Sequence, residues 1–315
     1  MADLQRAAEL LLAWDNILVL SHRSPDGDTL GSASGLCRAL IALGKNVQFG
    51  CADEIPAKFA YLFDGIEFGA FEPEHIVTVD VPDKALLGSL EYLGEKVELA
   101  IDHHATHRYF AKETWVEGDA GAACMLVAKL VPALGVKITP EIADCLYTGI
   151  ATDSGCFLYP GAGPELHRIA ADLIECGARY AEINRVMFDT KSRSAIRLLK
   201  RVYSDMEFFH EDRCAVLCLT NELIEDTGAK ESDLDGVASM VRQVEGVLFG
   251  ITIRERGENE YKISLRAAGE ADAAKVCMQF GGGGHKGAAG CTILAPLDEV
   301  KVRIVAACGE ALSAL

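Results

Sequence analysis

The segment Ile101-Asp102-His103-His104 decides the fold, since an apolar run of strand length ends there in one carboxylate and two imidazoles. Two other apolar runs end in similar clusters, at His22-Arg23-Ser24-Pro25-Asp26-Gly27-Asp28 and at Val79-Asp80-Val81-Pro82-Asp83. A fourth cluster, Ala151-Thr152-Asp153-Ser154-Gly155, follows a helical pattern, and a glycine-rich run covers 281–290. Ligands bind at the carboxyl ends of strands in open parallel sheets, so these distant clusters are expected to meet. Together they predict a metal site suited to hydrolysis of a phosphate ester.

Strand and helix patterns alternate through the first part of the chain. Strands are predicted at Asn16–Ser21, Asn46–Cys51, Ile76–Asp80 and Val97–Ile101, and helices at Thr29–Leu43, Gly121–Leu134, Glu141–Ile150 and 161–184. Thr139 and Pro140 supply a cap and a first-turn proline for the third of these helices. This alternation predicts an α/β fold, a parallel sheet with helices on both faces.

The pattern changes after a connector that contains a basic amphipathic helix at Ser192–Ser204. Strands are predicted at Arg213–Thr220, Gly246–Arg254 and Tyr261–Ala267, with a hairpin turn at Arg256-Gly257-Glu258-Asn259 and helices at Ser232–Val244, Ala271–Gln279 and Leu297–Leu312. The sequence therefore predicts a catalytic domain at 1–185, a helical connector at 186–205 and a smaller α+β domain at 206–315.

Composition indicates a folded, globular protein. The 315 residues are 50% hydrophobic, and no stretch reaches the roughly 20 apolar residues that span a bilayer. The opening residues lead into an amphipathic helix and are unlike a secretory leader, so we expect a cytoplasmic protein without a membrane partner. The eleven cysteines are scattered without a Cys-x-x-Cys pair. Buried, reduced thiols are expected rather than a zinc or disulfide framework.

The net charge of −17 restricts the partners. A protein that follows a long nucleic-acid backbone usually presents a basic stripe, and lysines and arginines cluster here only at Lys191–Arg201. Long duplexes are therefore disfavoured. A nucleic-acid substrate should be short, with its phosphates held by metal ions and a few local donors.

Several of the acidic residues also have purely structural explanations. Asp28 suits the cap of the helix predicted from Thr29, and Asp80 suits a strand-end turn through Asp83. Asp153 suits a turn at the end of the preceding helix. These explanations stand beside the metal-binding one, because each motif is short.

The two adjacent histidines are expected to differ in role. Because His103 and His104 follow each other on extended backbone, one should bind metal and the other should face substrate. Oxygen-rich ligands with one or two imidazoles favour manganese or magnesium over zinc.

At this point the sequence resembles a known family. The order His22-x-x-x-Asp26-x-Asp28, Asp80, Asp102-His103-His104 and Asp153 resembles the four motifs of the DHH phosphoesterase superfamily. The run at 281–290 resembles the Gly-Gly-Gly-His-x-x-Ala-Ala-Gly motif of the DHHA1 domain. The two-domain size is similar to the subgroup of oligoribonuclease/pAp phosphatases, also called nanoRNases.

The resemblance implies two manganese ions, with magnesium as the alternative. It implies that one ion is bound by His22, Asp26 and Asp80, and the other by Asp28, Asp80 as a bridge, His103 and Asp153. A water activated between the ions would attack phosphorus. The resemblance further implies catalytic roles for Asp80, for His104 at the scissile phosphate, and for Asp102, which would orient a histidine. A homodimer through the first domain is implied in the same way.

Substrate-binding residues are expected in the second domain. The candidates are Arg266, Gly282, Gly283, Gly284, His285 and Lys286, because glycines let backbone N–H groups approach an anion and the other side chains are donors. A flexible turn and a solvated strand-end arginine are the alternatives. The chain departs from the family pattern at Gly161 and Ala162, which lack the hydroxyl and amide groups of many relatives.

The predicted function is two-metal hydrolysis of very short RNA, chiefly dinucleotides, and of the 3′-phosphate of pAp. The alternative is hydrolysis of a cyclic dinucleotide such as c-di-AMP, or of its linear product, by the same site. Hydrolysis of pyrophosphate or polyphosphate by this site predicts a denser group of lysines and arginines near the glycine run than the sequence contains. Degenerate metal motifs would indicate a non-catalytic nucleotide sensor. All the expected ligands are present, which favours an enzyme.

Overall fold

The computed structural model describes residues 1–159, 161–234 and 236–315, which form two compact units, Met1–Thr190 (unit 1) and Lys191–Leu315 (unit 2). Pro160, in the segment after Asp153, and Asp235, in the predicted helix 232–244, lie outside the described residues. Across the described ranges, no helix combines the length and the apolar composition needed to cross a membrane.

Unit 1 is built on a five-stranded parallel sheet. Its strands are β1 (Ile17–Leu20), β2 (Val47–Gly50), β3 (His75–Val79), β4 (Leu99–Asp102) and β5 (Glu113–Val116), in the order β2-β1-β3-β4-β5. Every neighbouring pair is parallel. The predicted α/β class is confirmed, and β5 is a strand that the sequence analysis did not predict.

Helices connect these strands. They are α1 (Leu4–Ala13), α2 (Gly27–Ala42), α3 (Ala123–Ala133), α4 (Pro140–Asp153), α5 (Pro164–Glu175) and α6 (Tyr180–Asn184), with 3-10 helices at Ala57–Phe63 and Lys84–Lys96 and a π-helical turn at Arg185–Asp189. Thr139 caps α4 as predicted, since its hydroxyl accepts from the N–H of Ile142, and Pro140 follows at the first helical position. The helix is longer than predicted, so Asp153 is its last residue and does not lie in a break after Ile150.

The sheet is covered on both faces. In β1, Ile17 and Val19 belong to the core formed with the long helices, whereas Leu18 and Leu20 pack into a second cluster with Leu87 of the 3-10 helix. Because successive side chains of a strand point to opposite faces, this alternation shows that β1 is buried on both sides. Because both faces of such a strand are covered, only its ends are accessible to ligands.

Glycines bring α2 and α4 into close contact. A Cβ added at Gly31 in α2 would lie 2.4 Å from the carbonyl oxygen of Cys145 in α4, and one added at Gly149 in α4 would lie 2.7 Å from Asp28 Oδ1 in α2. Real Cβ atoms do not approach other atoms so closely, so only glycine fits at these crossings. The close packing brings the first turn of α2 next to α4.

Unit 2 has a mixed six-stranded sheet. Its strands are β6 (Glu207–Phe209), β7 (Cys214–Leu219), β8 (Phe249–Gly257), β9 (Glu260–Ala267), β10 (Gly283–His285) and β11 (Ala288–Leu294), in the order β10-β11-β9-β8-β7-β6. Only β7 and β8 pair in parallel. The helices are α7 (Arg193–Ser204), α8 (Asn221–Thr227), α9 (Val237–Met240), α10 (Ala273–Met278) and α11 (Leu297–Ser313), with 3-10 turns at Glu231–Asp233 and Val241–Gln243. The predicted α+β architecture is confirmed.

One local prediction in unit 2 needs correction. Among its described residues, the predicted helix 232–244 contains only the short α9 between 3-10 turns. Within the glycine run, residues 283–285 form an edge strand that pairs with β11. The pairing of this strand with β11, rather than glycine flexibility, fixes its backbone.

Candidate metal centre

Six predicted ligands meet at the carboxyl edge of the unit 1 sheet. His22 follows β1, Asp26 and Asp28 lie at the start of α2, Asp80 follows β3, His103 follows β4, and Asp153 ends α4. We call these six residues the candidate metal centre. Their donor atoms form two groups, each within 4.8 Å, His22–Asp26–Asp80 and Asp28–His103–Asp153, and a third, overlapping group joins Asp80 and His103 to His104. The structure therefore brings together every residue that the sequence analysis proposed as a metal ligand.

Asp80 belongs to the first group and also lies next to His103 of the second. Its Oδ2 is 3.7 Å from His22 Nε2, and its Oδ1 is 3.5 Å from His103 Nε2. The side chain is almost fully buried, and Oδ1 has no hydrogen-bond partner within the described part of the chain. A buried carboxylate oxygen without a donor is costly unless a cation is bound nearby. Each oxygen of Asp80 thus faces a different donor group.

The backbone at Asp80 is held in an unusual conformation. Its φ is +58°, in the left-handed region that few residues other than glycine, asparagine and aspartate adopt. Its N–H donates to the carbonyl of Ile101 at 2.9 Å, which ties the end of β3 to β4. This turn directs the carboxylate into the centre instead of along the strand.

Backbone carbonyls orient both histidine rings of the centre. His22 Nδ1 lies 2.8 Å from the carbonyl oxygen of Arg23, and His103 Nδ1 lies 3.0 Å from that of Ala120. A carbonyl oxygen only accepts hydrogen bonds, so each Nδ1 carries the proton in the neutral ring. Nε2 is then unprotonated, and its lone pair can bind a metal ion. This arrangement is the usual one for histidines that bind metal ions through Nε2.

The two aspartates of α2 have structural roles as well. The helix begins at Gly27, and Asp26, rather than Asp28, caps it by accepting from the N–H groups of Asp28 and Thr29 at 3.0 and 3.1 Å. Asp28 instead accepts from the N–H groups of Ala123 and Cys124, at 2.6 and 2.9 Å, and so caps α3. Asp26 therefore keeps one oxygen free, whereas both oxygens of Asp28 already contact α3.

The charged groups of the centre shift one another's pKa values. Burial lowers the pKa of both histidines, but the neighbouring aspartates outweigh it, chiefly Asp80, and raise the pKa of His22 to about 9 and that of His103 to about 10. Burial and the charge of Asp80 raise the pKa of Asp28 well above its usual value. Burial also raises the pKa of Asp153 to about 6. In the absence of cations, the protonated His22 and His103 partly neutralise the negative charge of the neighbouring aspartates.

The donor set fits divalent ions. Four carboxylates and two imidazoles converge, with no thiolate among the donor groups of the described residues. Hard oxygen donors of this kind suit manganese or magnesium, whereas zinc sites usually contain thiolates or more histidines.

Behind the centre, Asp102 orients His104. Oδ1 of the fully buried Asp102 accepts from His104 Nδ1 at 2.8 Å and from the N–H of His103 at 2.8 Å. The hydrogen bond from Asp102 raises the pKa of His104, and the His104 side chain is 40% exposed. His104 Nδ1 also lies 3.4 Å from Asp80 Oδ1, at the edge of the centre. The two adjacent histidines thus face different surroundings, one inside the centre and one open to solvent.

The sequence analysis missed His107, because a single histidine after the motif has no distinguishing pattern. Its Nδ1 accepts from the N–H of Tyr109 at 2.8 Å, so the proton of the neutral ring is on Nε2. That Nε2 lies 3.9 Å from Asp102 Oδ2, and neither atom has a hydrogen-bond partner among the described residues. Burial lowers the pKa of His107. A neutral ring therefore faces the unsatisfied oxygen of Asp102.

The predicted substrate-binding residues lie in or next to the edge strand β10, except Arg266, which lies on β9, two strands further in. Arg266 on β9 is opposite Ala288 of β11, and His285 of β10 pairs with Ala288 from the other side. A Cβ at Gly282 would lie 2.2 Å from the carbonyl oxygen of Gly290, so glycine is required there by close packing. Gly283, Gly284 and His285 are exposed along the edge strand. The Lys286 ammonium lies 3.2 Å from the carboxylate of Glu270.

Comparison with known proteins places the chain in a family. Residues 16–150 match the model of the DHH family, N-terminal domain, and residues 212–313 match that of the DHHA1 domain. The chain belongs to the DHH family of phosphoesterases, which confirms the resemblance seen in its motifs. It is 36% identical to the bifunctional oligoribonuclease and PAP phosphatase NrnA of Thermus thermophilus, a match covering 97% of this chain and 93% of that protein.

Solved structures share the architecture. An exopolyphosphatase-related protein from Bacteroides fragilis has a TM-score of 0.87 at 25% identity, covering 98% of this chain and 96% of the other. Exonuclease RecJ bound to manganese has a TM-score of 0.54 at 19% identity, covering 98% of this chain and 94% of the other. At that identity the second likeness shows the fold alone.

Proposed function

We propose that the protein is a divalent-metal phosphoesterase that hydrolyses very short RNA, chiefly dinucleotides, to mononucleotides and removes the 3′-phosphate of pAp. The observation that carries this proposal is Asp80, whose two oxygens face two separate donor groups. Membership of the DHH family and the identity to an oligoribonuclease and PAP phosphatase over nearly the whole chain support it.

Two ions are proposed, each bound by one donor group and sharing Asp80. The ligands of the first would be His22, Asp26 and Asp80, and those of the second would be Asp28, Asp80, His103 and Asp153. Two such ions supply positive charge toward a phosphoryl oxygen and lower the pKa of water. Manganese is the proposed ion, with magnesium as the alternative, because the donors are mostly oxygen.

His104 is the proposed donor to the substrate phosphate. Because Asp102 accepts from Nδ1, the ring cannot turn without losing a hydrogen bond, so Nε2 stays available for the substrate. The hydrogen bond to Asp102 raises the pKa of His104, which favours the protonated ring, and a protonated ring can stabilise negative charge that develops on the phosphate. Asp102 acts through this histidine and is fully buried, so it does not touch the substrate itself.

Small substrates suit the charge of the protein. With a net charge of −17, a long polyanion would be repelled outside the local sites, whereas a dinucleotide has few phosphates to place. In unit 2, Arg266, His285 and Lys286 and the backbone of Gly282, Gly283 and Gly284 are proposed to bind a substrate phosphate. The homodimer and the cytoplasmic location implied at the sequence level stay predictions.

Turnover of defined substrates with manganese tests the proposal. Equal concentrations of a linear diribonucleotide, a 24-nucleotide RNA, pAp, c-di-AMP and polyphosphate would be compared by chromatography of the products. We expect the diribonucleotide to be hydrolysed much faster than the long RNA, and pAp to lose its 3′-phosphate. Faster turnover of polyphosphate or of c-di-AMP would replace the proposed substrate, and no turnover of any substrate by metal-loaded protein would contradict the proposed function.

A further inference from the structure

A strained turn follows the candidate metal centre directly. Gly155, Cys156 and Phe157 all adopt positive φ values, of +59°, +56° and +67°. Three consecutive left-handed residues, two of them with side chains, are costly and persist only where the surroundings impose them. Backbone strain of this kind is concentrated at binding and catalytic sites, so the turn is a candidate part of such a site.

Ser154 stabilises the turn by accepting three hydrogen bonds from its backbone. This buried residue accepts from the N–H of Phe157 through its hydroxyl and from the N–H groups of Leu158 and Tyr159 through its carbonyl, all at 3.0 Å. The Phe157 ring anchors the turn inward, 6.3 Å from the ring of Tyr147. The turn is therefore a rigid structure fixed to the end of α4.

The turn presents two large apolar side chains to solvent. Leu158 is 83% exposed and Tyr159 is 55% exposed. The Tyr159 ring lies over Gly155, where an added Cβ would be 2.5 Å from ring atom Cζ. Glycine at 155 thus serves both the left-handed backbone and the position of the ring.

The position of these side chains suggests what covers them. Gly155 follows Asp153 by two residues, so their Cα atoms are at most about 7.6 Å apart. A base attached to a phosphate held at Asp153 is within reach of the ring that lies on Gly155. The next described residues, Gly161 and Ala162, have no side-chain donors or acceptors for the edge of a base.

We infer that Tyr159 and Leu158 form an apolar platform on which a nucleobase of the substrate stacks. The inference rests on the proposed function, since it places the base beside the phosphate that the centre would hold. Stacking on an aromatic ring is tolerant of base identity, because every base has a flat π-face. Without polar side chains at 161 and 162, the platform should accept all four bases with similar affinity.

Two matched variants test the platform. Tyr159→Leu keeps an apolar side chain but removes the ring, and Tyr159→Phe keeps the ring. Tyr92→Leu is the control, since Tyr92 is 70% exposed in the 3-10 helix Lys84–Lys96, outside the turn. We expect Tyr159→Leu to raise KM for a diribonucleotide roughly 5- to 150-fold, the range reported for loss of one stacked base. Tyr159→Phe and Tyr92→Leu should leave KM within about twofold of the wild type.

Two further measurements separate stacking from other causes. For a dinucleotide with one base replaced by hydrogen, Tyr159→Leu should cost much less, because there is no base to stack. A non-hydrolysable methylene-linked dinucleotide containing 2-aminopurine should lose fluorescence on binding to the wild type and to Tyr159→Phe, but not to Tyr159→Leu. Unchanged KM and unchanged quenching in Tyr159→Leu would overturn the inference, as would an equal loss on the abasic substrate.

Failure of the proposed function would look different. In that case the wild type would hydrolyse neither the normal nor the abasic dinucleotide. The fluorescence experiment would still report on the platform, because it requires binding and no turnover.

Discussion

Asp80 is the residue on which both proposed ions depend, and its replacement gives the sharpest test. Asp80→Asn is the suitable change, because asparagine tolerates the φ of +58° at this position, whereas alanine would be strained there. The change removes a charged ligand from both proposed ion sites. Asp26→Asn is the matched comparison, because Asp26 belongs to only one of the two groups.

The expected effect can be worked out for thermal unfolding of unit 1. An ion present at 100 times its Kd stabilises the folded state by about 2.7 kcal/mol, so two independent ions give about 5.4 kcal/mol. For a domain of this size, each kcal/mol raises Tm by about 2–4 °C, which predicts a rise of about 11–22 °C for the wild type. Asp26→Asn should keep about half of that rise, and Asp80→Asn almost none.

Calorimetry with and without manganese measures these shifts, and isothermal titration gives the number of ions bound. We expect a stoichiometry of two for the wild type, one for Asp26→Asn and none for Asp80→Asn. A bridge between the ions is refuted if Asp80→Asn still binds one ion tightly, or if the two variants lose the same stabilisation.

Three further predictions concern the surroundings of the centre. Gly149→Ala places a methyl group 2.2 Å from Cys124 Sγ, so urea unfolding should show a loss of about 1–3 kcal/mol, while Gly163→Ala, where the methyl meets open space, serves as control. His107→Phe removes the nitrogen that faces Asp102, and kcat should fall by about tenfold or more with KM unchanged; an equal kcat would show that the buried pair has no part in catalysis. The two imidazoles of the centre have pKa values of about 9 and about 10 in the free protein, so they are protonated at neutral pH and compete with metal. Manganese affinity should therefore rise between pH 6 and pH 9, with release of about two protons near pH 7 in titrations with buffers of different ionisation enthalpy; affinity independent of pH would contradict these pKa values.

Much of the fold could be predicted because β1, β3 and β4, the central parallel strands of unit 1, are buried. Such strands are short, almost entirely apolar runs, and β1, β3 and β4 stand out for that reason. The position of the centre followed from the same pattern, since residues just after those runs must lie at one edge of the sheet. The order of the motifs then favoured a metal site over ordinary caps, which no single motif could do.

The features that the sequence did not predict depend on contacts between residues that are distant along the chain. Strand β5, Glu113–Val116, has a polar start and only four residues, and β10 consists largely of glycine, which disfavours strands unless a partner strand fixes it. The start of α2 was misplaced because either of two aspartates could cap it, and only the packing of Asp28 against α3 decides between them. His107 could not be found, because its importance lies in the buried oxygen that it faces.

The double duty of Asp28 has a consequence for how mutants of this protein are interpreted. Its carboxylate holds the first amides of α3 and is also a candidate ligand, so architecture and chemistry share one side chain. An inactive variant at this position cannot by itself be assigned to a chemical defect. Under the proposed function, any replacement at residue 28 would have to satisfy the first turn of α3 and a cation together.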